Sequence, residues 1–480
     1  MSHNILVDRF LPPASIAQYP GIIDAIENAV RQTACLSTTS DAPRFADFES
    51  FIPVQTEKPV NDALLLVVDV GGTYTKVALR YHQTNHTDWF PLFKARNYEI
   101  TPESGADRFV RMLDALFSLT IDKLSEHNTN ADQIQGISVV WSNALNCYPL
   151  DPADRGLVGV SGVIKGKDSG EFYLKGEPWL DSICDGNDIG VAFIEAAHRV
   201  GLSPKAFIIG NDTILTQKAW PAATAGAVLS TGANSTIVLR GEKLLRNAES
   251  GNSFLIADRW QHPADCLPGQ ELTLEHMIAG RGMQHRFAHH LLHLTRTSEC
   301  EQHCNTELWS CLQKIRGHLE PQQTYLTAFK GKDLQAVLKQ DFDRFLELRG
   351  ERRELYEPMC VRELLTAIAE NLVQRGAELG ALMLYASVYS QLSAGEGEIA
   401  IGLDSSQARL LPSYLDQLRT CFAKIVSERF PDHPGVSIKL LEPDGLIAVP
   451  MLGAAAAVND FLVFAERNDQ NLNSKLAALT

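Results

Sequence analysis

The chain has 480 residues, 45% of them hydrophobic and 21% charged, with a formal net charge of −15. This is an ordinary globular composition, too long for one small core and suited to two domains or one large two-lobed unit. The acidic balance argues against nucleic acid, whose phosphates need clustered Lys and Arg, and nine scattered cysteines suggest reduced thiols in a cytoplasmic protein rather than a disulfide framework.

In chain order, residues 1–60 combine a short helical stretch at Ala25–Thr33 with polar, Pro-containing segments and read as a packed arm. The start, MSHNILVDRFLPP, lacks the basic region and apolar core of a secretory signal. Strand-like runs follow at Leu64–Val70, Lys76–Tyr81 and Phe90–Ala95, then apolar residues at helical spacing between Ala106 and His127. Strand-like Ile137–Trp141 ends at Ser142. The Gly-, Asp- and Lys-rich residues 151–180 read as a functional loop or small hairpin rather than a packed element. Helix-like Ile189–Val200 leads to strand-like Ala206–Ile209.

The second half repeats the scheme, with strands near 226–230 and 235–240, one helix over Leu272–Leu294 and a charged helical insertion to about residue 357. A long helix covers Val361–Ser390; a strand at Glu398–Leu403, a helix from Pro412, a strand at Val436–Leu441 and an Ala-rich helix from Gly453 close the chain. Strands alternating with helices indicate α/β. No apolar run approaches a membrane span, since LLLVV stops at Asp69 and LGALMLYA at Ser387.

The repetition is visible in the residues. LLLVVDVGGTYTKVALR, from Leu64 to Arg80, returns as AVLSTGANSTIVLR, ending at Arg240, with Gly72 falling on Gly232 and Arg80 on Arg240. A strand, a tight Gly/Thr turn and a return strand make a hairpin whose turn has little side-chain bulk and exposed backbone N–H groups, an anion cup suited to phosphate. Two such hairpins suggest a duplicated domain with one phosphate clamp in each half. Asp212, in FIIGND, places a carboxylate just past a buried strand, where ligands gather in open α/β sheets. A phosphoryl transfer to an alcohol needs a base there; the alternative is that Asn211-Asp212 caps the helix beginning at Thr213.

These segments together resemble the hexokinase family. DVGGTYTK looks like its first phosphate motif with Lys76 in place of the usual Arg; WSNA near Ser142 resembles FSFP; YLKG at 173–176 precedes GNDI as WTKG precedes G-x-D-V. IGNDTILT is similar to VNDTVGT, STGANS to GTGTNA, NAESG to NTEWG, and PGQELTLEHMIAG to PGQ…YEKxIxG. LLEPDGLIAVPMLGAAAAV is similar to the adenosine-site LLSEDGSGKGAALVAAV.

The resemblance implies two actin-like (ribonuclease H-like) domains forming lobes around a sugar cleft: a small lobe over 61–210 plus a C-terminal helix over about 446–480, and a large lobe over 211–445 plus the arm 1–60. It implies Asp212 as general base with Lys175 as its catalytic companion, and Ser142, Lys175, Asn211, Asp212, Asn234, Glu249 and Glu275 as sugar ligands. Carboxylates and amides suit a polyol because together they accept from and donate to hydroxyls. Asp69 would hold Mg²⁺ through water. Gly71, Gly72, Thr73, Lys76, Thr231 and Gly232 would grip the phosphates of ATP, with Gly445 near the adenosine. The expected activity is transfer of the γ-phosphoryl group of ATP to the 6-hydroxyl of glucose or a related hexose. The alternative is a sugar sensor that has lost turnover, motivated by Leu174 in place of the Thr of WTKG and by Gly-Leu-Ile-Ala-Val-Pro in place of the Gly-rich adenosine run; a third departure, Ser250 in place of the Trp after the glutamate, bears on the choice of sugar. An actin- or chaperone-like ATPase is disfavoured by the NAESG and LEHMIAG segments. His285, His289 and His293 share a metal-like spacing but read as a solvated or partly packed helix face, and Cys300, Cys304 and Cys311 with His303 lack the paired C-x-x-C knuckles of most zinc sites.

Overall fold

A computed structural model describes residues 3–34, 48–53, 58, 60, 62–71, 74–83, 86–101, 107–164, 182–237, 244–266, 272–320 and 328–477. Among the described residues there are thirteen strands: β1 Phe48–Pro53, β2 Ala63–Val70, β3 Tyr74–Gln83, β4 His86–Arg96, β5 Ile134–Trp141, β6 Leu145–Leu150, β7 Val158–Ile164, β8 Ala206–Asn211, β9 Ala225–Leu229, β10 Ala233–Ile237, β11 Leu244–Asn247, β12 Ile399–Ser405 and β13 Val436–Leu440. They form two sheets. The first runs β4-β3-β2-β5-β8-β7-β6 and the second β1-β11-β10-β9-β12-β13.

The duplication read from the hairpins extends to topology. In each sheet a first strand pairs antiparallel with the second (β2 with β3, β9 with β10), the second pairs with the third, and the fourth and fifth join in parallel on the other side of the first. Both units therefore have the strand order 3-2-1-4-5. The first is extended by β7 and β6, the second by β1. The central strands β2, β5 and β8 are buried along nearly their whole length, as the continuous apolar runs LLLVV, ISVV and AFII require of strands covered on both faces.

Helices cover the sheets. The Arg108–Glu126 helix buries Phe109, Met112, Leu113, Leu116 and Phe117 against the first sheet's core, where Trp141 meets Phe109 and Phe193 edge-on. The Met359–Ala394 helix is buried almost all round and forms the spine of the second core. The Val449–Ala477 helix packs on β2, β5 and β8 through Ala454, Ala455, Ala457, Val458 and Leu462, and against the Asp212–Lys218 helix. A buried ion pair, Lys218 Nζ to Asp460 Oδ2 at 2.6 Å, fastens those two helices, and Lys218 also donates to the Pro53 carbonyl at 2.8 Å. The Val449–Arg467 part is long and apolar enough to cross a membrane by length and composition, which the sequence reading did not pick out; 61% of that stretch is buried within the protein.

Two expectations need correction. Residues 158–164 are a packed element: they form β7, which makes a hairpin with β6 and is buried between β6 and β8. The glycines that suggested a loop serve close packing: a Cβ on Gly159 would lie 1.6 Å from the Phe207 carbonyl oxygen. Residues 165–181, the rest of that segment, lie outside the described residues. The helix expected over Leu272–Leu294 is two, Leu274–Ile278 and Gly280–Arg296, broken at Ala279, whose extended backbone (φ −68°, ψ 148°) turns the chain onto the second hairpin.

Candidate functional site

Register decides where the site forms. Val70 of β2, Trp141 of β5 and Asn211 of β8 are direct partners across three parallel strands. Each strand therefore ends at the same edge, and Gly71, Ser142 and Asp212 emerge side by side. Neighbouring strands are about 4.8 Å apart, so Gly71 and Asp212 are separated by roughly 10 Å at the strand ends. Ser142 Oγ donates to the Val70 carbonyl at 3.3 Å, tying the β5 exit to the first hairpin.

The first hairpin closes between Val70 and Thr75. Gly71 N–H donates to the Tyr74 carbonyl at 3.1 Å. Lys76 Nζ meets Asp69 Oδ2 at 3.0 Å, with the two side chains 26% and 11% exposed. Gly72 and Thr73, expected to grip phosphate, lie outside the described residues. A residue not anticipated from sequence, buried Asn97, holds the turn: its Nδ2 donates to the Gly71 carbonyl at 2.7 Å and its Oδ1 accepts from Thr75 Oγ1 at 3.0 Å.

The second hairpin is tighter, with Leu229 paired to Ala233 across Ser230, Thr231 and Gly232. Ser230 N–H donates to the Gly232 carbonyl at 2.9 Å. The Ser230 carbonyl accepts from Gly280 N–H at 2.8 Å and from Gln407 Nε2 at 3.0 Å, and Arg281 N–H donates to the Thr231 carbonyl at 3.3 Å. A Cβ on Gly280 would sit 2.9 Å from that Ser230 oxygen. Thr231 is exposed and Gly232 half-buried at the tip.

Beside it lies a buried polar network. Glu249 Oε1 accepts from Asn247 Nδ2 at 2.8 Å and from Asn234 Nδ2 at 3.2 Å; Asn234 Nδ2 also donates to Asn247 Oδ1 at 2.8 Å. Asn234 Oδ1 accepts from the backbone N–H groups of Ser235 and Ser250, and Glu275 Oε1 accepts from Ala233 N–H at 3.0 Å. Ser250, where the resemblance led to Trp, is buried with its hydroxyl 2.9 Å from that of Ser235. Glu249 sits at φ 42°, ψ 40°, a left-handed conformation uncommon for a residue with a side chain and one that functional sites often retain. Asn247, the network's hub, was not anticipated as a ligand. Its signal was present in the first letter of NAESG.

The two groups meet at the head of the Asp212–Lys218 helix. Asn211 caps it, its Oδ1 accepting from Thr213 N–H at 3.0 Å and Thr213 Oγ1 at 2.6 Å, while its Nδ2 reaches the Asn143 carbonyl at 3.4 Å. Thr213 Oγ1 is also 3.5 Å from Asn247 Oδ1. The capping reading thus holds for Asn211, which leaves Asp212 as the first helical residue, half-buried and near the helix's positive end. Lys175 lies outside the described residues. Gly445 (φ +57°) starts an exposed two-residue turn closed by the Asp444–Ile447 bridge, and among the described residues no hydrogen bond joins it to either hairpin. Asp69, Ser142, Asp212, Asn234, Glu249 and Glu275 therefore cluster along one sheet edge and the adjoining network.

No family model matches the chain, and no curated protein matches it by sequence. Solved structures do match. A hexokinase from Schistosoma mansoni complexed with glucose is 16% identical, aligns over 95% of this chain and 98% of its own, and gives a TM-score of 0.65. A second hexokinase crystal structure, also 16% identical, aligns over 95% and 96% with a TM-score of 0.63. At that identity the likeness speaks for architecture. With two sheets repeating one strand order and hexokinase structures matching nearly end to end, this chain has the two-lobed, actin-like hexokinase fold.

Proposed function

We propose that the protein is an ATP-dependent hexose kinase. The observation that carries this reading is the register of β2, β5 and β8, which sets the Gly71 turn, Ser142 and Asp212 along one edge with the Asn234–Asn247–Glu249 network touching the same corner through Thr213. A phosphate hairpin, a carboxylate and a set of polyol-binding groups in that order are the parts a phosphoryl transfer to a sugar hydroxyl needs.

Mg²⁺ and ATP fit the residues present. Asp69 offers a hard oxygen ligand at the end of β2, Lys76 a cation beside it, and the Thr231–Gly232 tip of the second turn offers backbone N–H groups with little side-chain bulk. Bound Mg·ATP would supply the phosphoryl group and part of the charge neutralisation. The chain's own tasks follow. Asn234, Asn247, Glu249 and Glu275 would orient the sugar by exchanging hydrogen bonds with its hydroxyls. Asp212 would accept the proton of the attacking hydroxyl. Lys76 and the turns would hold the transferring phosphate in line.

The test is a coupled assay with ATP and Mg²⁺ offering glucose, fructose, mannose and glucosamine in turn. Turnover on at least one is expected. Sugar binding without turnover on any would support the sensor reading, which the Gly-Leu-Ile-Ala-Val-Pro stretch at 445–450 motivates. Neither binding nor turnover would remove both.

A further inference from the structure

Among the helices of the second lobe, and sharing no residue with the candidate site, a cavity of about 340 Å³ is lined by His318, Ala328, Leu348, Arg349, Arg352 and Tyr356. It is formed by the Thr306–Leu319 helix, the Phe342–Arg349 helix and the 3₁₀ segment Gly350–Leu355 that leads into Tyr356. We propose that this cavity is a binding site for a small phosphomonoester or free phosphate, held by Arg352, Arg349 and the Tyr356 hydroxyl.

Charge is the first reason. Two guanidinium groups line one cavity, and one carboxylate offsets one of them: Asp333, whose Oδ2 lies 2.6 Å from Arg349 Nη2. The other nearby acids do not line it: Glu347 pairs with Arg344, Glu357 with Arg353 and Glu320 with Arg296 and Arg316, while Glu354 is exposed. Arg352 donates to His318 Nε2 at 2.9 Å, which requires that nitrogen to be an acceptor and the ring neutral. The wall therefore carries a net positive charge.

Preorganisation is the second. Arg349 is fixed by the Asp333 pair, by a hydrogen bond to the Ala328 carbonyl, and by the faces of Phe329 and Phe345, 4.9 and 5.6 Å from its guanidinium carbon. These contacts use only two of its five N–H donors. A guanidinium so held loses little freedom on binding an anion and presents the planar fork that phosphate oxygens match.

The third reason is Tyr356. Its side chain is 2% exposed, it lines the cavity, and among the described residues its hydroxyl has no hydrogen-bond partner. That hydroxyl is open to the cavity, where it is free to donate to a bound oxyanion. Burial pushes its pKa up to about 12 while Arg349 and Arg352 pull the other way, so the group is a neutral donor with both guanidiniums nearby. A donor hydroxyl beside two arginines suits an oxyanion and nothing apolar. The volume is at the small-ligand end of the usual range, enough for a phosphorylated monosaccharide or a single phosphate.

Isothermal titration calorimetry on the full chain, without any phosphoryl donor, tests this independently of the kinase reading. The probes are inorganic phosphate and glycerol 3-phosphate, a phosphomonoester that is not a product of the proposed reaction. At least one is expected to bind, with affinity reduced about tenfold or more in Arg352→Gln and about three- to tenfold in Tyr356→Phe. Arg352 is exposed and the Tyr356 hydroxyl has no partner among the described residues, so both variants should keep the wild-type melting temperature. Loss of affinity in either variant at unchanged melting temperature supports the site. Glycerol 3-phosphate binding at least tenfold tighter than phosphate would identify a phosphomonoester site; equal affinities would identify a site for the phosphate group alone. Absence of binding by both probes, or binding unchanged in both variants, overturns the proposal.

Discussion

The two hairpins share a sequence pattern and a place in their sheets, yet they are built differently. The first carries charge at its base, with Asp69 and Lys76 paired at 3.0 Å, and the side chains of Asn97 and Ser142 hold it through the Gly71 and Val70 carbonyls. The second has no charged residue from Leu229 to Ala233, and it is clamped by Gly280 N–H, Arg281 N–H and Gln407 onto the carbonyls of its own turn. Duplication preserved the backbone, which local sequence specifies, and let the chemistry diverge. The first hairpin is equipped to act on charge, and the second to hold a shape.

The largest effect is expected between the hairpins. Asp212→Asn keeps shape and hydrogen bonding but cannot take a proton, so kcat should fall on the order of 10² to 10⁴ with sugar affinity changed only a few-fold. Steady-state kinetics and sugar titration together check this; near-wild-type turnover removes Asp212 from the chemistry.

The comparison itself is tested by paired variants. Lys76→Ala should lower kcat by roughly 10- to 100-fold and raise the KM for ATP, because developing charge on the phosphates loses its counter-charge. Asp69→Ala should weaken the dependence on Mg²⁺. Thr231→Ala should change only the KM for ATP, by a few-fold. Equal losses in Lys76→Ala and Thr231→Ala would break the distinction.

A pH titration separates the lobes by stability. In the second lobe His290 is buried against Asp265, which also binds Arg375. Burial, opposed by the Asp265 carboxylate, pushes His290 down to about 4 from 6.5. Between pH 6.5 and 4 the unfolded chain takes up a proton that the folded one does not, so stability falls as pH is lowered through that window. The loss from this one group is on the order of 3 kcal/mol. Melting temperature should drop across the window, and less steeply in His290→Gln; equal slopes would exclude His290 as the source.

Gly280→Ala is the subtlest break. Its Cβ would lie 2.9 Å from the Ser230 carbonyl oxygen, so the clamp on the second turn must shift. The expected result is a several-fold rise in the KM for ATP and a destabilisation of about 1–2 kcal/mol, read from kinetics and thermal melts. An unchanged KM would show that the clamp does not set the turn's function.

Much of this was legible in the residues. The runs LLLVV and FII announced central strands, the Gly/Thr turns announced hairpins, and the Phe109–Met112–Leu113–Leu116–Phe117 spacing announced a helix. Each is a local signal, since side-chain period and turn chemistry act over a few neighbours. The misreadings came where distance in sequence mattered. Gly159 looked like loop punctuation because only the packed sheet shows that β8 passes where its Cβ would be. Ala279 looked helical because the hairpin that draws its chain away lies about fifty residues earlier.

The same division runs through the candidate site. Sequence alone determined the two hairpins, the alternation of strands and helices, and the identity of carboxylates and amides able to hold a polyol. The tertiary structure decided that Asn211 serves as a helix cap, that Asn247 is the hub joining Asn234 to Glu249, and that Asn97 and Gln407 brace the two turns. Those contacts span up to 177 positions along the chain. Their partners are chosen by strand register and by close packing of helices on sheets, and neither leaves a periodic trace in the letters.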